Sequence, residues 1–312
     1  MIPAVDAPLV VPALSCLIGR ARVAARGALR LGRLALGLGL ATVAMAAPAA
    51  ALVTIVDGDA VLVDGARAVV AAEGLKVADE TLVRTGSGAR LLRVEWPDGS
   101  AADFGPDTQA MLNPGGFGTR GGRTPSVYLL HGWLKLSALG SGPTAGLITP
   151  AVDVQPFKGA LVVMAVGDET WVFAETAGGA LVDRVAKAAA VTLKNGEVWG
   201  RQGSGKPAVA PRPTPAQMQR VPRGFRDSLP LRSPALAGRT VTAKAAPVPT
   251  YADLRDWLTA EQPLRKGFTR RFAERAHDAA FRSALAENLA SHTEWEPVLF
   301  PERFTKPASA PR

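Results

Sequence analysis

From residue 53 to about residue 200 the chain alternates short apolar runs with turn dipeptides. Val53-Thr54-Ile55-Val56 stops at Asp57-Gly58, and Ala60-Val61-Leu62-Val63 stops at Asp64-Gly65. Leu92, Val94 and Trp96 alternate with Arg93 and Glu95, the period-two pattern of a strand with one buried face and one face in water. Pro97-Asp98-Gly99 then reverses the chain, because Pro presets φ and Gly accepts a positive φ. Ala102 and Phe104 resume the buried face with Asp103 turned out. Further strands are predicted over 127–130 and 133–137 around a turn at His131-Gly132, and over 161–166 and 170–174 around Gly167-Asp168. A last pair, 191–193 and 197–199, is predicted to form a hairpin on Asn195-Gly196. Closely spaced turns without long helical patterns predict a mainly β domain over 52–200: a two-sheet sandwich, a barrel or a short solenoid.

The pattern changes twice after that. Residues 201–249 hold nine Pro and Asp227 as their one acid, which predicts an extended linker. Phe225 and Leu229 form an apolar island in it, either a small plug docked on the β domain or incidental residues of a disordered stretch. From residue 250 the spacing turns helical over 250–304, and 305–312 reads as a disordered tail. Thr250 with Asp253 resembles a capping box ahead of Leu254, Trp257 and Leu258. Pro263 seats a second helix carrying Leu264, Phe268 and Phe272. Phe281, Leu285 and Leu289 require a third, because nine residues from Phe272 to Phe281 is two and a half turns. Asp278 is the expected N-cap of that helix, and Trp295, Leu299 and Phe300 are expected to fold back as an irregular apolar end.

The beginning of the chain reads as an address. Arg20, Arg22, Arg26, Arg30 and Arg33 precede an apolar run at 34–45 and a stretch of small residues, Ala46-Ala47-Pro48-Ala49-Ala50-Ala51. This is the layout of a secretory signal peptide over 1–51, which predicts a periplasmic mature protein. The alternative is an inner-membrane anchor made by an uncleaved signal. The basic region is long enough that the true start is expected downstream of Met1. Cys16 leaves with the signal, so no disulfide is expected to support the mature chain.

Charge divides the chain again. Residues 52–183 carry nine Lys+Arg against 15 Asp+Glu, whereas 184–312 carry 22 against 11. The basic excess keeps an exposed tail soluble, or lays the tail on its own acidic domain, or meets an anionic lipid or glycan. Nucleic acid is not expected as a partner of an exported chain.

The order of motifs resembles the FecR domain family of bacterial envelope proteins over about 53–200. The resemblance rests on Leu82-Val83-Arg84-Thr85-Gly86-Ser87-Gly88-Ala89, on Trp96-Pro97-Asp98-Gly99-Ser100 and on Phe104-Gly105-Pro106-Asp107-Thr108. It continues through Leu129-Leu130-His131-Gly132-Trp133-Leu134 and Ile148-Thr149-Pro150-Ala151 to Phe157-Lys158-Gly159-Ala160. In the last, Lys158 and Ala160 stand where the family has Arg and Thr. The resemblance implies an antiparallel β fold and binding as the task. Well-studied members pass signals to a sigma factor through a cytoplasmic segment, and no packed domain fits ahead of the apolar run here.

Chemistry-bearing motifs are sparse. Gly200-Arg201-Gln202-Gly203-Ser204-Gly205-Lys206 matches the start of a phosphate-binding loop, but Pro207 stands where Ser or Thr should hold magnesium, so no nucleotide is expected. Three His (His131, His277, His292) and one Cys predict no metal site or cofactor, and each His reads as a surface or capping residue. Asp57 and Asp59 belong to Asp-Gly turns rather than to a glycosidase pair. The expected function is therefore a non-enzymatic protein-binding or signalling scaffold with an envelope protein partner. The alternative is a peptidoglycan-binding module or envelope hydrolase, with Trp96 and Trp133 stacking on sugars. Trp133, Phe157, Lys158, Arg270 and Arg271 are the candidate binding surface.

Overall fold

Among the described residues seventeen strands form in chain order: β1 (Ala51–Asp57), β2 (Ala60–Asp64), β3 (Arg67–Val70), β4 (Lys76–Val77), β5 (Leu82–Thr85), β6 (Leu91–Glu95), β7 (Ser100–Phe104), β8 (Gln109–Leu112), β9 (Val127–Ala138), β10 (Ala145–Ile148), β11 (Val152–Phe157), β12 (Gly159–Val166), β13 (Glu169–Ala174), β14 (Gly179–Asp183), β15 (Val191–Leu193), β16 (Val198–Gln202) and β17 (Ala208–Ala210). The computed structural model describes residues 51–119, 124–140, 145–176, 178–186 and 189–304, all within one compact unit. The predicted signal, apart from Ala51, and the predicted tail 305–312 lie outside the described residues.

The strands fold into two sheets that share β9. The first runs β4-β1-β6-β7-β9-β12-β13-β16-β17, antiparallel throughout. The second runs β3-β2-β5-β8-β9-β10-β11-β14-β15, and its β9–β10 pair is parallel. Alternate residues of both sheets meet in one core: Leu92, Phe104, Leu134, Leu136, Leu161 and Val163 from the first, Leu62, Val83, Leu112, Leu129, Leu147 and Val154 from the second. The chain advances along both sheets together, so the fold has the packed layers of a sandwich and the progression of a solenoid. No barrel closes.

Two predicted turns do something else. Asn195-Gly196 joins β15 in the second sheet to β16 in the first, so it crosses between layers instead of closing a hairpin. No turn occurs at His131-Gly132, because β9 runs through it. Its first half pairs with β8 and its second half with β7 and β12. Gly132 sits at the crossing with φ +102, and a Cβ there would lie 2.5 Å from the Thr108 Cα. Glycine is required on both counts.

The C-terminal third wraps this sandwich. Its helices are α1 (Pro215–Arg220), α2 (Ser233–Leu236), α3 (Tyr251–Leu258), α4 (Gln262–Arg265), α5 (Phe268–Arg271), α6 (Ala279–Glu287) and α7 (Glu296–Leu299). Residues 215–236 lie across the outer face of the first sheet, where Val221 and Phe225 are buried. Residues 244–246 then bond to the edge strand β3, with Val69 facing Ala245. From α3 onward the chain covers the outer face of the second sheet, packing Trp257, Phe268, Phe272 and Trp295 in one cluster with Val63, Leu82, Met111 and Tyr128. Thr250 and Asp253 form the capping box, and the Asp278 side chain accepts the Phe281 N–H at the start of α6. The helix seated by Pro263 is split at Lys266-Gly267, and His292 is fully buried rather than at the surface. Its Nε2 lies 3.1 Å from the Leu285 carbonyl.

Replacing Gly132 with alanine is expected to cost about 2–4 kcal/mol in urea unfolding, since the new methyl meets backbone in a left-handed conformation. Gly167→Ala is the control: its φ is +57 but nothing lies within 4 Å, so the smaller backbone cost is expected alone. Equal losses in the two variants would refute the crossing role of Gly132.

Candidate functional site

The outer face of the first sheet holds an unusual set of side chains. Strands β6, β7 and β9 place Arg93 opposite Asp103, and Asp103 opposite Lys135. Opposite charges thus face each other across two strand pairs, which favours this register. Arg93 donates to Glu95 at 2.9 Å and to both Asp103 oxygens at 3.1 and 3.2 Å. Lys135 reaches Glu175 at 2.7 Å. Arg93, Glu95 and Asp103 were expected in water, yet they and Lys135 are all no more than 4% exposed. The reason is residues 221–233, which lie over them.

That segment meets the charges mainly through its main chain. Lys135 Nζ donates to the Phe225 carbonyl at 2.7 Å and to the Asp227 carbonyl at 3.4 Å, and Arg93 Nη2 donates to the Leu229 carbonyl at 3.2 Å. Glu95 accepts the N–H groups of Arg232 and Ser233 at 2.9 and 2.8 Å, and the Thr54 hydroxyl at 2.9 Å. Beside this polar strip is an apolar socket in which Phe225 and Val221 pack with Leu91, Trp133, Val162 and Met164, while Leu229 is half-buried. Trp133 and Trp171 meet edge to face at 5.4 Å. Phe225 and Leu229 are therefore a docked plug.

The two buried carboxyls shift in opposite directions. Desolvation raises Asp103 to about 6, against the pull of Arg93 and Lys135. Desolvation also pushes Glu95 up, but the N–H groups of Ser233 and Arg232 and the Thr54 hydroxyl outweigh it and hold Glu95 below the usual carboxylate value.

The five residues expected to form a binding surface do not meet. Trp133 is walled into the socket at 9% exposure, and Phe157 is buried between the sheets. Lys158 is exposed on the turn after β11. Arg270 is exposed on α5, while Arg271 beside it is largely buried and donates to the Glu80 carbonyl at 2.7 Å. Sequence reading missed Arg93, Glu95, Asp103 and Lys135 as site residues. Their one sequence-level signal was the Pro97-Asp98-Gly99 hairpin, which sets Arg93 across from Asp103.

Other cavities offer less. A cavity of about 230 Å³ lies between α4, α5 and the second sheet, lined by Glu80, Met111, Lys266 and Arg271. Arg271 in its wall lies 3.7 Å from the Glu80 carboxylate. A shallow groove of about 370 Å³ follows β16, β17 and α1. The Gly203–Lys206 stretch beside it turns into strand β17 rather than into a helix. Asp57 pairs with Arg90 at 2.7 Å. Among the described residues no group of three or more His, Cys, Asp or Glu could hold a metal ion, and no helix is long and apolar enough to cross a membrane. The basic C-terminal part does lie on the acidic half: Arg220 pairs with Glu169 at 2.7 Å, and Arg232 with Glu73 at 3.2 Å. At the far end of the sandwich Arg201 pairs with Asp183 between the two sheets.

No family model matches the chain, and no curated protein matches it. Two crystal structures, each described as a "putative anti-sigma factor" from Parabacteroides distasonis ATCC 8503, are similar at 15% and 13% identity with TM-scores of 0.35 and 0.34. Each likeness covers 42% of this chain, which spans 59% of the length of the matched protein.

The Asp103 shift predicts a pH dependence. Its folded pKa of about 6 lies above the unfolded value of 3.8, so its contribution to stability is fully present below pH 3.8 and is lost as pH rises through 6. Glu95 has the opposite sign. In chemical unfolding between pH 4 and 7, Asp103→Asn is expected to gain on the wild type as pH rises, by ~1.4 kcal/mol for each unit of pKa offset. A difference that stays flat across that range would contradict the assignment.

Proposed function

We propose that the protein is a non-enzymatic, protein-binding scaffold of the bacterial envelope, exported by its N-terminal signal and acting in the periplasm. One observation carries this reading. The outer face of the first sheet holds a strip of charged side chains that grips the main chain of a peptide segment beside a socket for its aromatic residue. Such a surface does the work of recognition, and Arg93, Glu95 and Lys135 each hold the segment rather than poise a nucleophile. The partner is an envelope protein. A signalling role follows from the family resemblance, and the basic C-terminal region wrapped on the acidic half gives that role a second surface. The glycan alternative loses its flat aromatic platforms, since Trp96 and Trp133 are each 9% exposed.

The test is photo-crosslinking of the full chain in its own envelope, with reactive residues at exposed positions around the 221–233 segment. A discrete protein adduct is expected. No protein adduct, together with sedimentation on purified cell wall, would overturn the scaffold in favour of glycan binding. Export is checked separately by fractionation and by the mass of the mature N-terminus, expected near residue 52. A cytosolic protein that keeps residues 1–51 would contradict the envelope assignment.

A further inference from the structure

We infer that the outer face of the first sheet is a reversible docking groove, occupied in cis by residues 221–233 and open in trans to a segment of a partner protein that presents an aromatic anchor on one tight turn, as Phe225 stands at the end of the 3-10 turn Arg223–Phe225. The inference deepens the scaffold reading and rests on it for the existence of a partner.

The contacts define what the groove accepts. Lys135 and Arg93 take the carbonyls of the anchor residue Phe225 and of positions two and four beyond it. Glu95 takes the N–H groups seven and eight beyond. Meanwhile the side chains of Arg223, Arg226, Asp227 and Ser228 stay in solvent. A grip on main-chain groups is indifferent to most of the occupant's sequence. Selectivity comes from the ring at the anchor and from apolar residues four before and four after it, the places of Val221 and Leu229. The seat also needs room for the incoming chain. Gly105 leaves it, since a Cβ there would come within 2.9 Å of the Trp133 Cβ on the neighbouring strand, 3.0 Å of the Pro222 ring and 3.3 Å of the Phe225 ring.

Release from this groove strands no charge. Arg93 pairs with Glu95 and Asp103, and Lys135 with Glu175, and all of these partners belong to the β domain and not to the segment. When the segment lifts, these groups become surface residues of a sheet and regain water, so the desolvation cost of the docked state is returned. An apolar strap would lack that compensation. The tethers are equally permissive. Between β17 and residue 244 the described residues make no strand pairing, and α1 and α2 have six and four residues, too short to persist alone. The segment can therefore leave without breaking a sheet ladder.

The probe is a fluorescent peptide of residues 219–234, titrated by anisotropy into full-length wild type and full-length Phe225→Ala. The variant, with its cis anchor removed, is expected to bind at least ten-fold more tightly than the wild type. A peptide with alanine at the anchor is expected to bind neither. A folded variant that binds no peptide would make the segment a permanent part of the fold and overturn the groove. Should Phe225→Ala not fold, wild type is challenged with excess peptide carrying a photo-reactive group next to the anchor. Adducts on β6, β7 and β9 support displacement, and adducts scattered elsewhere refute it. The two readings fail separately. Peptide binding without an envelope adduct sinks the scaffold and spares the groove. An envelope adduct with no peptide binding sinks the groove alone.

Discussion

Buried charge on the outer face of the first sheet constrains the rest of the molecule. Arg93, Glu95, Asp103 and Lys135 cannot sit in a low-dielectric layer without partners, and neither can the main-chain groups of a segment laid over them. Each set satisfies the other. The carbonyls of Phe225 and Leu229 meet the cations, and the N–H groups of Arg232 and Ser233 meet Glu95. A segment that would otherwise be an open, proline-rich stretch becomes a layer of the fold. The C-terminal chain is thereby started on its path around the sandwich.

The path depends on β9. By pairing in both sheets it joins two antiparallel arrays into one body, and the crossing at Gly132 lets each outer face receive a different part of the C-terminal region. One face takes a polar strip and a single aromatic plug. The other takes a helical cluster built on Trp257, Phe268 and Phe272, locked by the Tyr128 hydroxyl donating to Glu261 at 2.7 Å and by Arg184 against the same carboxylate. Burial and the neighbouring Glu261 carboxylate raise the Tyr128 phenol, which keeps it a donor. The two faces differ in how firmly they hold. The helical face is closed by large apolar side chains, whereas the first face returns its charges to water when it opens.

The strands were legible because alternation of Leu92, Val94, Ala102 and Phe104 with polar residues survives any tertiary context. The capping residues Thr250 and Asp278 were legible for the same local reason. Layer assignment was not. Asn195-Gly196 satisfies a tight turn equally well between paired strands or between stacked sheets, and only the partner strands decide. Arg93, Glu95 and Asp103 read as a water-facing edge because nothing near them in the chain announces a cover. Lys135 bonds to a carbonyl 90 residues away. The aromatic and basic candidates were chosen by residue type, and type alone cannot separate Arg270, in solvent, from Arg271, tied to Glu80. The order of short strands and turns pointed to a mainly β domain, while the groove depends on a segment beyond residue 200.

The most direct measurement is native-state hydrogen exchange of the full chain, wild type beside Glu95→Gln. The account predicts that amides of 225–233 exchange as one unit, slower than in a free peptide and faster than those of β9. It also predicts that Glu95→Gln releases Arg232 and Ser233 while leaving β9 protected. Exchange of the segment at free-peptide rates in the wild type, or protection at Arg232 and Ser233 untouched by the substitution, would contradict it.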